Sequence, residues 1–160
     1  MKNEIVTEYK GSLNMLVDTV HKCPDDLWES NAYENAYWRI VYHTLFYTAF
    51  YLSAGPAEFI PWDQHRANYH VLGSIAHDGQ LIVIKNSYSK ADLLNYASVI
   101  LQSLEDAINE GDLTDTTGFD WIAFNRFGLH LYNIRHVQHH TGQLTERLHQ
   151  VGIRGINWVR

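Results

Sequence analysis

Four stretches of the chain repeat their apolar residues at spacings of three and four, which predicts four amphipathic or buried helices. The predicted helices cover residues 3–22, 35–53, 90–109 and 126–151. Their ends carry ordinary signals: Asn35, Ser89 and Asn125 as N-caps, with Asp92 completing a capping box, and prolines or glycines after the last turns. The second segment is apolar on every face, which is typical of a buried helix. The isolated apolar run 81–84 does not establish a strand.

Length and composition restrict the chain to a small set of protein classes. A length of 160 residues suits one domain spanning 1–160, and the net charge of −6 argues against nucleic acid as a partner. The longest apolar stretch, 40–54, is too short and too interrupted to cross a membrane. The single cysteine, Cys23, rules out an internal disulfide, and no signal-peptide pattern is visible, so we expect a cytoplasmic protein.

The connection between the second and third predicted helices, residues 54–88, is long for a compact domain. It has room for a short helix near residues 64–72. Because no strand pattern accompanies the helices, the sequence predicts an all-α protein, a four-helix bundle with one long crossover after the second helix.

The last predicted helix contains the run His136-Val137-Gln138-His139-His140. At about 100° of rotation per residue, His136 and His140 lie within about 40° of each other at the edge of the apolar stripe. His139 lies nearly opposite that stripe and should face solvent. An i, i+4 histidine pair on one helical face can bind one metal ion, although such a pair also arises by chance in a chain with ten histidines.

A third ligand would have to come from another helix, and His43 is the candidate. It lies in the middle of the all-apolar second helix, where a neutral imidazole needs a polar partner. That partner is either a metal ion or an ordinary hydrogen-bonding group of the core. Three neutral histidines with open positions form the ligand set typical of a catalytic metal rather than a closed structural one.

Other side chains near these histidines have both a functional and a structural interpretation. Tyr47, Asn133 and Gln143 can orient the histidine rings by hydrogen bonds, or serve as a core tyrosine and surface amides. Arg147 can meet an anionic substrate or be a solvated charge. Four loop aromatics either wall the site or form a small hydrophobic cluster: Phe59, Trp62, Trp121 and Phe124. Gly142, inside a helix, suggests close approach by another helix, and His65, His70 and His77 are expected at the surface.

Several of these segments resemble the DinB/YfiT-like superfamily of metalloenzymes. The segment 133–144, NIRHVQHHTGQL, is similar to the last-helix signature of that family, and 38–47, WRIVYHTLFY, is similar to its second-helix motif. The segments 87–94, SYSKADLL, and 119–121, FDW, resemble further family landmarks in the same order. One position departs from the pattern, because many relatives carry arginine where this chain has Thr141.

The resemblance implies a four-helix bundle in up-down-down-up order with a divalent metal, zinc or nickel, held by three histidines. Carried over by position, the ligands are His43, His136 and His140. Some relatives look like S-transferases that use a low-molecular-weight thiol, and others look like metal-dependent hydrolases. The resemblance also implies a homodimer. A non-catalytic metal-binding bundle remains the alternative from a different class, and the sequence assigns no catalytic residue.

Overall fold

The structure, a computed structural model, describes residues 1–159 and is all-helical over that range. Its helices are α1 (Lys2–Lys22), α2 (Asp25–Trp28), α3 (Tyr37–Leu52), α4 (Lys90–Asn109) and α5 (Arg126–Gln150). The described residues contain two isolated β-bridges and no strand. Among them, no helix combines the length and the apolar character that crossing a bilayer requires.

The four predicted helices correspond to α1, α3, α4 and α5, with ends that differ by two residues at most. The capping box at the start of α4 is confirmed, since the hydroxyl of Ser89 accepts from the Asp92 amide and the Asp92 side chain accepts from the Ser89 amide. Asn125 caps α5 as predicted, with its side chain accepting from the amide of Gly128. The one-turn helix α2 was not predicted.

The predicted cap at Asn35 is wrong, because Ala36 occupies the N-cap position of α3. Asn35 instead joins three parts of the chain. Its side-chain oxygen accepts from the amide of Gly73 at 2.8 Å, and its backbone carbonyl accepts from Arg147 at 2.8 Å. These long-range hydrogen bonds give the asparagine a role that helix-end patterns do not reveal.

The long helices pack in a closed ring of contacts. Helix α1 contacts α4 and α5, and α3 contacts the same two helices from the other side. The core fills the space between them with large apolar side chains that are fully buried, among them Tyr9, Leu13, Tyr42, Leu45, Leu104 and Leu144. Burial of these side chains is the main force holding the helices together.

The segment 53–89 contains no helix, so the predicted short helix at 64–72 is wrong; the chain there forms consecutive turns. This segment is held against α3 by hydrogen bonds. Tyr42 pairs with His65 at 2.7 Å, and Arg39 donates to the carbonyl of Val71. Near the C-terminal end of the segment, the hydroxyl of Tyr88 donates to the carbonyl of Gln64 at 2.6 Å. Tertiary hydrogen bonds therefore replace the local ones that a helix would supply.

Gly142 in α5 is exposed, and a methyl group built on it would meet nothing within 4 Å. The predicted close approach of another helix is therefore wrong. Because glycine in a helix interior costs about 1 kcal/mol relative to alanine, we expect Gly142→Ala to raise the free energy of unfolding by about that amount. Urea denaturation followed by circular dichroism measures the change.

Gly128, in the first turn of the same helix, is the matched control. A methyl group there would lie 2.9 Å from Cβ of Phe124, so the alanine must displace its neighbour. Gly128→Ala is expected to gain no stability for that reason. Equal stabilisation by the two alanines would contradict this account of Gly142.

Candidate metal site

The structure brings together the three histidines that the sequence singled out. One ligand atom from each of His43, His136 and His140 lies within 4.8 Å of those of the other two. Nε2 of His43, on α3, is 3.0 Å from Nε2 of His136, on α5. The centroid of the His140 ring is 4.7 Å from that of His43 and 4.6 Å from that of His136. A tetrahedral zinc ion with bonds of about 2.0–2.1 Å separates its ligand atoms by about 3.3 Å, so this cluster has the dimensions of a metal site.

The hydrogen bonds of two of these rings leave their Nε2 atoms free to bind a cation. Nδ1 of His43 donates to the carbonyl of His70 at 2.6 Å, and Nδ1 of His140 donates to Oε1 of Gln143 at 2.8 Å. Since both oxygens only accept, the proton of each ring lies on Nδ1 and the lone pair on Nε2. A metal-binding histidine usually has this arrangement, in which the second nitrogen donates to an oxygen that fixes the ring.

The third ring, that of His136, has an unsatisfied polar atom. Its Nδ1 is buried and has no hydrogen-bond partner among residues 1–159. Its Nε2 faces the Nε2 of His43, which carries a lone pair. Without a cation, His136 must therefore carry its proton on Nε2 and donate it to His43. A cation between the two Nε2 atoms would satisfy both lone pairs at once. The donor set therefore fits a divalent ion that accepts nitrogen ligands, and imidazole suits zinc and nickel equally.

Burial keeps the histidines neutral at physiological pH. Burial, together with the smaller effect of the neighbouring imidazoles of the cluster, lowers the pKa of His43 to about 4 and that of His136 to about 3. Burial also lowers the pKa of His140. Because only the neutral ring has a lone pair to give, these shifts keep the cluster in the form that binds metal.

The surroundings of His43 are more open than the sequence predicted. The face of α3 that carries His43, Tyr47 and Phe50 is only half-buried, whereas the rest of the helix is almost entirely buried. The prediction of a fully buried face is therefore wrong. The side chains over this face come partly from α5, at His136 and His140, and partly from the segment 53–89, at His70, and together they cover it incompletely. His139 is exposed, as predicted.

The three side chains expected to orient the rings differ in what they contact. Gln143 accepts from His140, as described above. Tyr47 lies with its ring centroid 4.9 Å from that of His43 and 5.8 Å from that of His136. Asn133 is fully buried and donates to the carbonyl of Thr48 at 3.1 Å, so it links α5 to α3 one turn before His136.

Other residues singled out in the sequence lie in structural positions. Arg147 packs over the ring of Tyr33, 4.1 Å from its centroid, in addition to its bond to Asn35. Thr141 is buried and donates to the carbonyl of Val137. Cys23 is buried, and burial raises the pKa of its thiol to about 12, which makes it a poor nucleophile.

The residue that sequence reasoning missed is His70, which was expected at the surface together with His65. Both are half-buried; the His70 ring stacks on Phe46 with centroids 3.9 Å apart. Its contribution to the metal site is its backbone carbonyl, which holds Nδ1 of His43. A carbonyl group has no sequence signature, so no pattern could have identified this contact. His77 is exposed, as predicted.

One large cavity among the described residues lies away from the histidines. It has a volume of about 710 Å³, lies between α3, α4 and residues 59–63, and includes Phe59 and Trp62 in its wall. Two smaller pockets adjoin the cluster. One of about 220 Å³ includes His136 and His139, and one of about 450 Å³ includes Tyr47, His70 and Trp121. Chemistry at the histidines would therefore use one of the smaller pockets.

Comparison with known proteins adds no identification: no family model, no curated protein and no solved structure matches the chain. The DinB/YfiT-like assignment accordingly stays a prediction that rests on the sequence motifs.

Proposed function

We propose that the protein is a metal-dependent enzyme of the DinB/YfiT-like superfamily that transfers a low-molecular-weight thiol to an electrophile. His43, His136 and His140 would hold the ion, zinc or nickel. The observation that carries this proposal is the pair of Nε2 atoms of His43 and His136, which face each other at 3.0 Å from two different helices. The tautomer fixed at His43 by the His70 carbonyl supports it.

When bound, the ion would supply Lewis acidity, which removes the proton from a thiol and leaves a thiolate able to attack an electrophilic carbon. The chain supplies the positioning. His43 and His140 are held by acceptors at their Nδ1 atoms, and Tyr47 packs against the rings of His43 and His136. The ligand set contains only histidines among the described residues, and the walls of the two adjoining pockets contain no carboxylate. A thiol whose proton is displaced by the ion needs no carboxylate as a base, and hydrolysis by a metal-activated water is the alternative that the assay separates.

We also propose that the four long helices run up-down-down-up and that two chains form a homodimer. In this order α3 and α4 are parallel, so the chain must return along the full length of the bundle. Helix α4 has 20 residues and is about 30 Å long, and the segment 53–89 is long enough to cover that distance. Analytical ultracentrifugation tests the dimer, and a monomer at micromolar concentration would refute it.

The activity is tested by adding a thiol and 1-chloro-2,4-dinitrobenzene to the zinc- or nickel-loaded protein. The thiol proton passes to the buffer, the sulfur–carbon bond forms, and the carbon–chlorine bond breaks as chloride leaves; the absorbance of the thioether product follows the reaction. We expect turnover with at least one cellular thiol, and loss of at least about 90% of it in His43→Ala, because removing a ligand removes the ion.

The possible outcomes separate the proposed activity from its alternatives. Stoichiometric metal without turnover across several thiols and electrophiles would reject the transferase and favour a metal-binding bundle. Hydrolysis of ester or amide substrates without any thiol would favour a hydrolase. Protein prepared without a histidine tag that contains no metal and takes none up would reject both enzymes.

A further inference from the structure

A second feature of the described structure is a pocket next to the histidines with an aromatic wall. We call it the aromatic pocket; its volume is about 450 Å³ and it is lined by Phe46, Tyr47, Phe50, Tyr51, His70, His77 and Trp121. Pockets of about 300–1,000 Å³ are the size that holds small molecules. It is distinct from the larger cavity between α3 and α4, with which it shares no lining residue.

The aromatic pocket lies on the same side of α3 as His43. Tyr47 and Phe50 follow His43 at i+4 and i+7, which places them on the face that the histidine occupies. Tyr47 is a wall of the pocket and also contacts the metal site, with its ring 4.9 Å from that of His43. His70 likewise lines the pocket while its carbonyl holds Nδ1 of His43. A molecule in the pocket would therefore lie one side chain away from the proposed ion.

The wall of the pocket predicts the kind of molecule that it takes. The lining contains no carboxylate, lysine or arginine. The polar groups in the wall are the hydroxyls of Tyr47 and Tyr51 and the imidazoles of His70 and His77. A charged ligand would lose its hydration there without a counter-charge. Aromatic walls favour flat rings, which pack edge-to-face or offset against them.

We propose that the aromatic pocket binds the neutral, planar aromatic part of the electrophilic substrate and brings it to the histidine site. The role as a substrate pocket rests on the proposed function, whereas the binding of a neutral aromatic molecule does not. The partner molecule would be a small uncharged arene or heteroarene.

The test uses indole as the neutral probe and indole-3-carboxylate as the charged probe of similar shape, titrated into the metal-free protein by calorimetry. We expect indole to bind at one site and at least about tenfold more tightly than the carboxylate. Trp121→Ala, which removes an exposed side chain from the wall of the pocket, is expected to weaken indole binding about tenfold. Trp158→Ala is the matched control, because Trp158 is also exposed but lies outside the pocket, and we expect a change of less than about twofold.

NMR gives a second, independent measurement. The side-chain N–H signal of Trp121 is expected to shift on addition of indole, and that of Trp158 is not. Absence of indole binding, equal effects of the two alanine variants, or a preference for the carboxylate would overturn the proposal. The protein is metal-free in this experiment, so indole binding is measured independently of metal binding. If the protein binds no metal, the indole result still stands, and if it binds no indole, the proposed metal site is not contradicted.

Discussion

Replacing His136 by alanine is expected to reduce the affinity for zinc at least about a hundredfold. The substitution removes one of three ligands, and the two that remain, on α3 and α5, no longer enclose an ion. It also removes the buried Nδ1 that has no partner, so the fold itself loses little. Competition with a chromophoric chelator measures the affinity, and elemental analysis of protein made without a histidine tag gives the stoichiometry.

His139→Ala is the matched control for this experiment. His139 is a histidine of the same helix, three residues on, and is exposed to solvent rather than directed at His43. We expect its replacement to change the zinc affinity by less than about threefold, because it contributes no ligand. Equal losses in the two variants would mean that zinc binds at surface histidines. Circular dichroism of both variants confirms that the helices are retained.

The histidine site was largely predictable from sequence because helix geometry determines which side chains share a face. The spacing of His136 and His140 places them together on any α-helix, and the apolar stripe around Val137 sets their position relative to the core. His43 was identifiable because a single imidazole in an all-apolar helix needs a partner. The three histidines come together only because α3 packs on α5. The periodicity predicts that each of these helices has a face to bury, but not that the two faces pack against each other.

What escaped prediction depends on contacts between distant backbone groups. The carbonyl of His70 that orients His43, and the amide of Gly73 that is bound by Asn35, belong to a segment without helical or strand periodicity. Turns of this kind are stabilised by tertiary hydrogen bonds, so the local sequence does not encode them. Gly142 shows the converse: a helical glycine suggested a packing contact, and the structure has open solvent there.

The metal-free protein is expected to lose stability steeply as the pH falls below about 6.5, and His130 is the residue with which this is best tested. His130 is 2% exposed and pairs with the hydroxyl of Tyr9 at 3.3 Å. Burial, followed by the positive charges of Arg126 and Lys2, lowers its pKa to about 4. The unfolded chain, with a histidine pKa of about 6.5, therefore binds more protons than the folded protein between these two values.

The sign of the effect follows from this difference in proton binding. Unfolding takes up a proton between pH 4 and pH 6.5, so the free energy of unfolding is highest above pH 6.5 and falls as the pH drops towards 4. The uptake of one proton on unfolding changes the free energy of unfolding by about 1.4 kcal/mol per pH unit. His130 alone therefore lowers the free energy of unfolding by about 2 kcal/mol at about pH 5. His43, His70 and His136 have lowered pKa values as well and add to the loss.

The variant His130→Gln isolates this contribution, since glutamine is polar but does not titrate. We expect the loss of unfolding free energy between about pH 7.5 and about pH 5 to be smaller by about 2 kcal/mol in this variant than in the wild type, by urea denaturation with a chelator present. The comparison uses only the difference between the two pH values, so any loss of packing in the variant cancels. His139→Gln controls for removal of an exposed histidine from α5. An unchanged pH dependence in His130→Gln would show that this imidazole is not held neutral by its burial against Tyr9.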